Sequence, residues 1–217
     1  MASLVTISAS YGAGGSVVAP ALAQRLGVPF LTRATTSTGS FAGPASCTER
    51  LEPDEGRNVP PHRLLAALTQ AMPVGPTQSP PSSRHQEEHL RRDCERDILG
   101  LANAGAGVIL GRGAAVVLGK GRGFHVRLDG PPDARLAQGA QIEQLSDDEA
   151  RRHMAAADRA RVAYVNRLYR ADPADPAHYH LVIDSTAIPL ATVTELILQA
   201  LTAIRAPVAA AGSPKRP

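Results

Sequence analysis

Residues 4–16 read LVTISASYGAGGS, and this stretch decides the fold. Its first five residues are apolar or small and β-branched, which is typical of a buried strand. A glycine-rich loop follows directly, and from Val17 to Leu26 apolar side chains recur every four positions, as on one face of a helix. A loop of small residues at this place lets backbone N–H groups converge on an anion at the positive end of the helix dipole. The order therefore predicts the opening unit of a phosphate-binding α/β domain.

The same alternation of strand, loop and helix returns further along the chain. Residues 108–110 predict a fully buried strand that runs into a Gly-Arg-Gly turn, and residues 124–128 and 180–183 predict two more strands. A capping box that starts at Ser146 predicts a helix of about twenty residues after it. Strands that alternate with helices indicate a parallel sheet covered by helices. We expect one domain over residues 1–205.

Two segments do not carry this alternation. Residues 35–85 are rich in Ser, Thr, Gly and Pro and hold eight of the 18 prolines of the chain. We interpret them as a flexible insert on the domain, and a mobile substrate-binding arm or simple disorder both suit the composition. Residues 206–217 predict a disordered tail.

Composition excludes several classes of protein. The chain has 217 residues, no Trp, three Phe and four Tyr, so aromatic platforms for single-stranded nucleic acid are not expected, and nucleic acid is an unlikely partner. No apolar run reaches the roughly 18 to 20 residues of a membrane-spanning helix. The first residues lack the basic region and cleavage site of a signal peptide. We therefore expect a cytoplasmic protein without membrane contact.

The basic residues are nearly all arginine. The net charge is +3 and the isoelectric point is near 9.2, yet Lys120 and Lys215 are the only lysines among 23 basic residues. The planar guanidinium matches phosphate oxygens, so this bias favours phosphate recognition, although genomic base composition produces the same bias without function.

Several pieces of the chain resemble the cytidylate kinase-like family, a branch of the P-loop nucleoside monophosphate kinases. They are residues 4–30, GVILGRGAA, PPDARL, ADRARVAYVNRLY and HYHLVIDSTAIPL, and together they cover most of the chain outside the proline-rich insert. The most specific parts are Gly-Arg-Gly at 111–113, Asp-Arg-Ala-Arg at 158–161 and Asp-Ser-Thr at 184–186. The resemblance implies a P-loop NTPase-type three-layer sandwich with a parallel sheet, a helical lid over residues 139–172, and an acceptor-binding insert. It also implies ATP as phosphate donor and a nucleotide as acceptor.

The glycine loop is the expected site for ATP and Mg²⁺. Its backbone amides are expected to hold the phosphates, and the Ser16 hydroxyl is placed to bind the Mg²⁺ that bridges them. The residues assigned to this site are Gly12, Ala13, Gly14, Gly15, Ser16 and Val17.

Arginines complete the expected site, because phosphoryl transfer needs positive charge around the moving group. The resemblance implies that Arg112, Arg159 and Arg161 hold the acceptor and transferred phosphates, and we expect them to stabilise that charge. Arg33, Arg112 and Arg152 are the residues expected to bind the acceptor. On a continuous helix Arg152, Arg159 and Arg170 share one face, whereas Arg161 points elsewhere. A solvated helix face, balanced by nearby acidic residues, is the alternative interpretation of this stripe.

The loop departs from the standard pattern G-x-x-x-x-G-K-[ST]. Ala9 stands at the first glycine and Gly15 at the lysine, so the usual cation for the β- and γ-phosphates is missing. This leaves two functions open. One is ATP- and Mg²⁺-dependent transfer of phosphate to a nucleoside monophosphate, with CMP or dCMP as the first candidate. The other is a non-catalytic nucleotide- or phosphate-binding protein on a kinase scaffold.

A zinc site is not expected. His85 and His89 fit an H-x-x-E-H pattern, but they lie in a polar, arginine-rich stretch and no motif supplies a third ligand. A basic protein associated with nucleic acid is likewise disfavoured, because its charges are mixed and aromatic residues are scarce.

Overall fold

Strand β1 (Ser3–Ala9) is the middle strand of a five-stranded sheet. The computed structural model describes residues 3–32 and 81–205. Arg33, nearly all of the proposed insert and the C-terminal tail lie outside these residues.

Strands and helices alternate through the described chain. Helix α1 (Gly15–Leu26) and the short strand β2 (Phe30–Leu31) follow β1. After the undescribed segment come α2 (Pro81–Asn103), β3 (Ala106–Leu110), α3 (Ala114–Leu118), β4 (Phe124–Asp129), α4 (Pro132–Glu143), α5 (Asp147–Tyr169), a 3₁₀ turn (Pro176–His178), β5 (Leu181–Asp184) and α6 (Leu190–Arg205).

The sheet is entirely parallel, in the order β2-β3-β1-β4-β5. The carboxyl ends of all its strands therefore meet at one edge, where ligands of open α/β sheets bind. The predicted parallel sheet flanked by helices is confirmed.

The two faces of the sheet differ in polarity. Val5, Ile7 and Ala9 of β1 pack against α1 and α6 in an apolar core. On the opposite face, Thr6 and Ser8 alternate with them. This face is covered by α2 and α3, and α5 packs against α2. The polar side chains of Thr6 and Ser8 therefore lie on one face of the sheet.

The helices begin close to, but not always at, the residues that the sequence predicts. Helix α1 begins at Gly15, before the predicted Val17, and Pro20 lies inside it. A proline there removes the N–H that would bond the carbonyl of Ser16, a residue that is exposed. Helix α2 begins at Pro81, within the segment assigned to the insert. The capping box of α5 is present, with Ser146 and Glu149 bonded reciprocally.

Candidate phosphate-binding site

The loop between β1 and α1 depends on glycine. Gly12 and Gly14 have φ angles of 72° and 73°, in the left-handed region that side chains disfavour. A Cβ atom at Gly12 would overlap the carbonyl oxygen of Arg135, so α4 packs directly on the loop backbone. A Cβ atom at Gly14 would meet the Leu190 side chain at 2.4 to 2.7 Å. Both glycines therefore permit a close approach that another residue would prevent.

The carbonyl groups of the loop are tied to the surrounding scaffold. The Arg135 guanidinium donates to the Tyr11 carbonyl at 3.0 Å, and Gln138 donates to the Gly12 carbonyl at 2.8 Å. Ser185 donates to the Ala13 carbonyl at 2.8 Å. Because the C=O and the next N–H of a trans peptide point in opposite directions, these bonds turn the N–H groups of Gly12 and Gly14 away from the scaffold. The Ala13 N–H instead bonds the Ser10 carbonyl at 3.1 Å.

The start of α1 supplies further amides. The first N–H groups of a helix have no carbonyl partner within it, and Gly15 and Ser16 are the first two residues of α1. Gly15 is buried, whereas Ser16 and Val17 are exposed. Ser16 lines the cleft of the loop, and Val17 does not. This arrangement can receive an anion in the way the sequence predicts.

Ala9 and Gly15, the two departures from the standard loop, are in contact with one another. A Cβ atom at Gly15 would lie 2.5 Å from the Cβ of Ala9 and 3.2 Å from Leu110 Cδ1. The Ala9 methyl group therefore occupies the space that any side chain at position 15 needs.

Asp158 of α5 reaches the loop. Its Oδ1 accepts a hydrogen bond from the Tyr11 amide at 3.0 Å, and its Oδ2 accepts one from Arg135 at 2.8 Å. The Arg161 guanidinium lies 3.3 Å from Oδ1. A carboxylate thus already engages one amide of the loop.

Arg112 lies at the exit of β3 and is buried. Its backbone has a φ of 59°, and its guanidinium donates to Asp97 Oδ2 at 2.9 Å and to the Thr32 carbonyl at 3.0 Å. Thr32 directly follows β2, the strand next to β3. Arg112 therefore joins α2 to the end of β2 while it also lines the cleft beside the glycine loop.

The structure brings some of the predicted residues together and separates others. Arg112 and Arg161 line one cleft with Gly12, Gly14, Gly15 and Ser16. Arg152 and Arg159 are exposed and do not line that cleft. Arg170, the third arginine of the predicted stripe, is also exposed.

Two buried arginines near the loop were not predicted from the sequence. Arg127 of β4 donates to Asp129 at 2.7 Å and to the Ser10 hydroxyl at 3.0 Å. Arg135 of α4 holds the loop at the Tyr11 carbonyl and contacts Asp158. The pattern F-H-V-R-L-D at 124–129 carries a signal for the first, since an arginine and an aspartate two residues apart in a strand share one face.

Arg127 also controls the charge of Asp129. Burial by itself would raise the pKa of Asp129, but the Arg127 charge, with hydrogen bonds from Arg127, Ser10 and the Gly130 amide, holds this pKa below its ordinary value. Asp129 is therefore a stable anion at the carboxyl end of β4.

A second unpredicted group lies on the α4 side of the cleft. The Tyr11 hydroxyl donates to Glu143 Oε2 at 2.8 Å, and His153 Nδ1 lies 3.3 Å from the same oxygen. Tyr11 thus connects the loop both to α4, through its hydroxyl, and to α5, through its amide.

No group of three or more His, Cys, Asp or Glu side chains among the described residues could hold a metal ion. This does not conflict with Mg²⁺, which keeps several waters and binds to a few protein oxygens together with substrate phosphates. The exposed Ser16 hydroxyl at the start of α1 fits that mode.

The model of the cytidylate kinase-like family matches residues 4–187. The chain belongs to this family. Membership confirms the resemblance carried by the loop, the Gly-Arg-Gly turn and the Asp-Arg-Ala-Arg run. Membership supports a kinase-type phosphotransferase that uses a nucleotide.

Several solved structures are similar to this chain. An uncharacterized protein from Eubacterium ventriosum ATCC 27560 has 16% identity and a TM-score of 0.60, covering 92% of this chain and 98% of that one. Shikimate kinase from Acinetobacter baumannii, in complex with shikimate, has 17% identity and a TM-score of 0.48, with 94% and 96% covered. Deoxyadenosine kinase from M. mycoides, with bound dATP, has 9% identity and a TM-score of 0.48, with 91% and 98% covered.

At these identities the likeness concerns the fold alone. A search of curated proteins found no match. Within residues 3–32 and 81–205, no helix combines the length and the apolar character needed to cross a bilayer.

Proposed function

We propose that this protein transfers the γ-phosphoryl group of ATP to a nucleoside monophosphate, with CMP or dCMP as the first acceptor to test. One observation carries the proposal. The glycine loop at the start of α1 shares a cleft with Arg112 and Arg161, at the edge of the sheet where the strands end. Phosphoryl transfer depends mainly on positioning and on positive charge around the moving group, and this cleft has groups suited to both.

In this proposal the loop binds the donor. The amides of Gly12, Gly14, Gly15 and Ser16 surround the ATP phosphates, and the Ser16 hydroxyl would be a ligand of Mg²⁺. The predicted contacts of Ala13 and Val17 do not use their amides, which bond the carbonyls of Ser10 and Gly14. Bound Mg²⁺ neutralises phosphate charge during transfer. Arg161 stands beside the loop on α5 and interacts with the transferred group.

The acceptor binds on the side of β2 and β3. Arg112 is fixed there by Asp97 and the Thr32 carbonyl, and we assign it to the acceptor phosphate. Arg33, the residue after Thr32, is a proposed second contact. Arg152 and Arg159 also remain proposed phosphate ligands, and because both are exposed, α5 has to change its orientation for them to act.

A second function, nucleotide or phosphate binding without catalysis, is favoured by two observations. Position 15 carries no lysine and is closed to one by Ala9. The Tyr11 amide of the loop is bonded to Asp158. Under this alternative the loop retains phosphate affinity but cannot stabilise the charge that develops during transfer.

Turnover and binding, measured together, separate the two functions. ADP release is followed by a coupled assay across the nucleoside monophosphates with ATP and Mg²⁺, and ATP binding is measured by calorimetry. Turnover with one acceptor supports the kinase. ATP binding without turnover on any acceptor selects the non-catalytic alternative. Absence of both ATP binding and turnover rejects the proposed phosphate-binding site.

A matched pair of variants tests the assigned arginine. Arg161→Ala removes a guanidinium from the cleft, and we expect kcat to fall about 100-fold or more, in the range known for lost transition-state charge partners. Arg151→Ala removes an exposed arginine from the same helix and is expected to leave kcat unchanged. Equal activity of the two variants would refute the role of Arg161.

A further inference from the structure

Asp158 joins three elements at one carboxylate. The Tyr11 amide of the loop, Arg135 of α4 and Arg161 of α5 all direct N–H groups at it, at 3.0, 2.8 and 3.3 Å. Arg135 and Arg161 are largely buried, with side-chain exposures of 9% and 15%. Three donors that converge on one anion have the chemistry of a phosphate site.

We propose that Asp158 is an internal competitor for phosphate: its carboxylate holds the Tyr11 amide of the glycine loop and the Arg161 guanidinium until a polyphosphate displaces it. This inference rests on the proposed function, in which the loop binds phosphate. It goes further by assigning to one residue of α5 the control of that affinity.

The charges make displacement necessary. While Asp158 is in place, it neutralises part of the charge of both guanidiniums, and Arg135 also lies 3.5 Å from Asp129. An arriving polyphosphate therefore meets a site whose positive charge is already compensated, and it is repelled by a carboxylate only a hydrogen bond away from the loop. Once Asp158 leaves, Tyr11 and Arg161, which both line the cleft, can meet the phosphate without that repulsion.

Displacement also couples the loop to α5. Arg161 is three residues after Asp158 on the same helix, so movement of Asp158 changes the position of Arg161 as well. The exchange involves no proton transfer, because every donor is an N–H group and both competing groups are anions. Phosphate binding to the loop and the change in the position of α5 therefore occur together, in one equilibrium.

The opposite role makes the opposite prediction. If Asp158 served only to position Arg135 and Arg161 for a ligand, removal of its charge would release those side chains and weaken binding. An internal competitor, when removed, strengthens binding. Whether removal of the Asp158 charge raises or lowers the affinity for phosphate therefore decides between the two roles.

Binding of inorganic tripolyphosphate and of ATP is measured by calorimetry for the full chain and for Asp158→Asn. We expect the variant to bind tripolyphosphate about tenfold more tightly, because one nearby negative charge is gone. Asp148→Asn is the matched control, since it removes one charge from an exposed position of the same helix. We expect its affinity to stay within about twofold of the unsubstituted protein.

The outcomes are distinct. Unchanged or weaker binding by Asp158→Asn, with normal binding by the original chain, overturns the competitor role and leaves the proposed function intact. An equal gain by the control overturns it too, because the effect is then one of net charge. Absence of tripolyphosphate and ATP binding in every form overturns both proposals.

Hydrogen exchange on the unsubstituted protein gives a second test that does not depend on folding of the variant. With tripolyphosphate, we expect slower exchange of backbone amides at residues 10–16 and faster exchange in the part of α5 around Asp158. Slower or unchanged exchange in α5, with a protected loop, contradicts the displacement.

Discussion

At the scale of single residues, the two departures from the standard phosphate loop, Ala9 and Gly15, lie side by side in the structure. Ala9 ends β1 and Gly15 begins α1, and the loop between them brings their backbones together. The missing glycine and the missing lysine are therefore coupled, because the methyl group of Ala9 fills the room beside Gly15. The sequence shows both departures, but their contact is a property of the folded loop.

This contact predicts how a lysine can be restored. Gly15→Lys alone introduces a Cβ atom 2.5 Å from the Ala9 Cβ, and we expect it to lower the free energy of unfolding by about 1 to 3 kcal/mol, as overpacking does. The double variant Ala9→Gly with Gly15→Lys is expected to recover part of that loss. Urea unfolding of both, with Ala9→Gly alone as control, measures the coupling. Additive losses would show that the two positions do not share space.

At the scale of elements, α5 carries different functions on its different faces. Tyr164, Val165 and Leu168 pack in the interior beside α2, whereas Asp158 and Arg161 face the loop. The helical period predicted that Arg152, Arg159 and Arg170 share a face, and all three are exposed. Which face meets the phosphate loop depends on how α5 packs against α2 and α4, and that information is not in the period of 3.6 residues.

The N-cap residue Ser146 is expected to stabilise the whole of α5. Ser146→Ala removes the hydroxyl that accepts from the Glu149 amide, and we expect a loss of about 1 kcal/mol in the free energy of unfolding. Thr202→Ala, at an exposed position inside α6, is the control and is expected to change it by less than about 0.5 kcal/mol. Equilibrium unfolding in urea measures both. Equal effects would mean that the cap does not stabilise α5 specifically.

At the scale of the whole molecule, the sheet has one apolar and one partly polar face, and the polar face holds a buried histidine. His125 Nε2 donates to the Gly119 carbonyl at 2.8 Å, because a carbonyl can only accept, and Nδ1 accepts from the Thr6 hydroxyl at 2.7 Å. Burial lowers the pKa of His125, and the nearby His180, Lys120 and His178 add to this, while the bond to Gly119 opposes it. The fold therefore contains this histidine in its neutral form.

This lowered pKa predicts acid sensitivity. In the unfolded chain His125 takes up a proton near pH 6.5, whereas the folded protein resists it, so stability is complete above that pH. As the pH falls from 6.5 toward the lower pKa of the folded state, the free energy of unfolding decreases. Urea unfolding at pH 7.5 and 5.5 measures the decrease.

Two variants identify the residue responsible. We expect His125→Gln to show a smaller decrease over this pH range than the unsubstituted protein. His153→Gln, whose parent side chain is 59% exposed, is expected to retain the full decrease. A full decrease in His125→Gln would assign the acid sensitivity to another group.

The sequence by itself determined the parallel α/β fold, the glycine loop at the start of α1 and the capping box of α5. These depend on apolar period, glycine placement and caps, which act over a few neighbouring residues. Only the tertiary structure decided that Asp158 bonds the Tyr11 amide, 147 residues away along the chain, and that Arg161 rather than Arg159 faces the loop. The physical reason is that such contacts follow from the packing of whole elements, which no local pattern encodes.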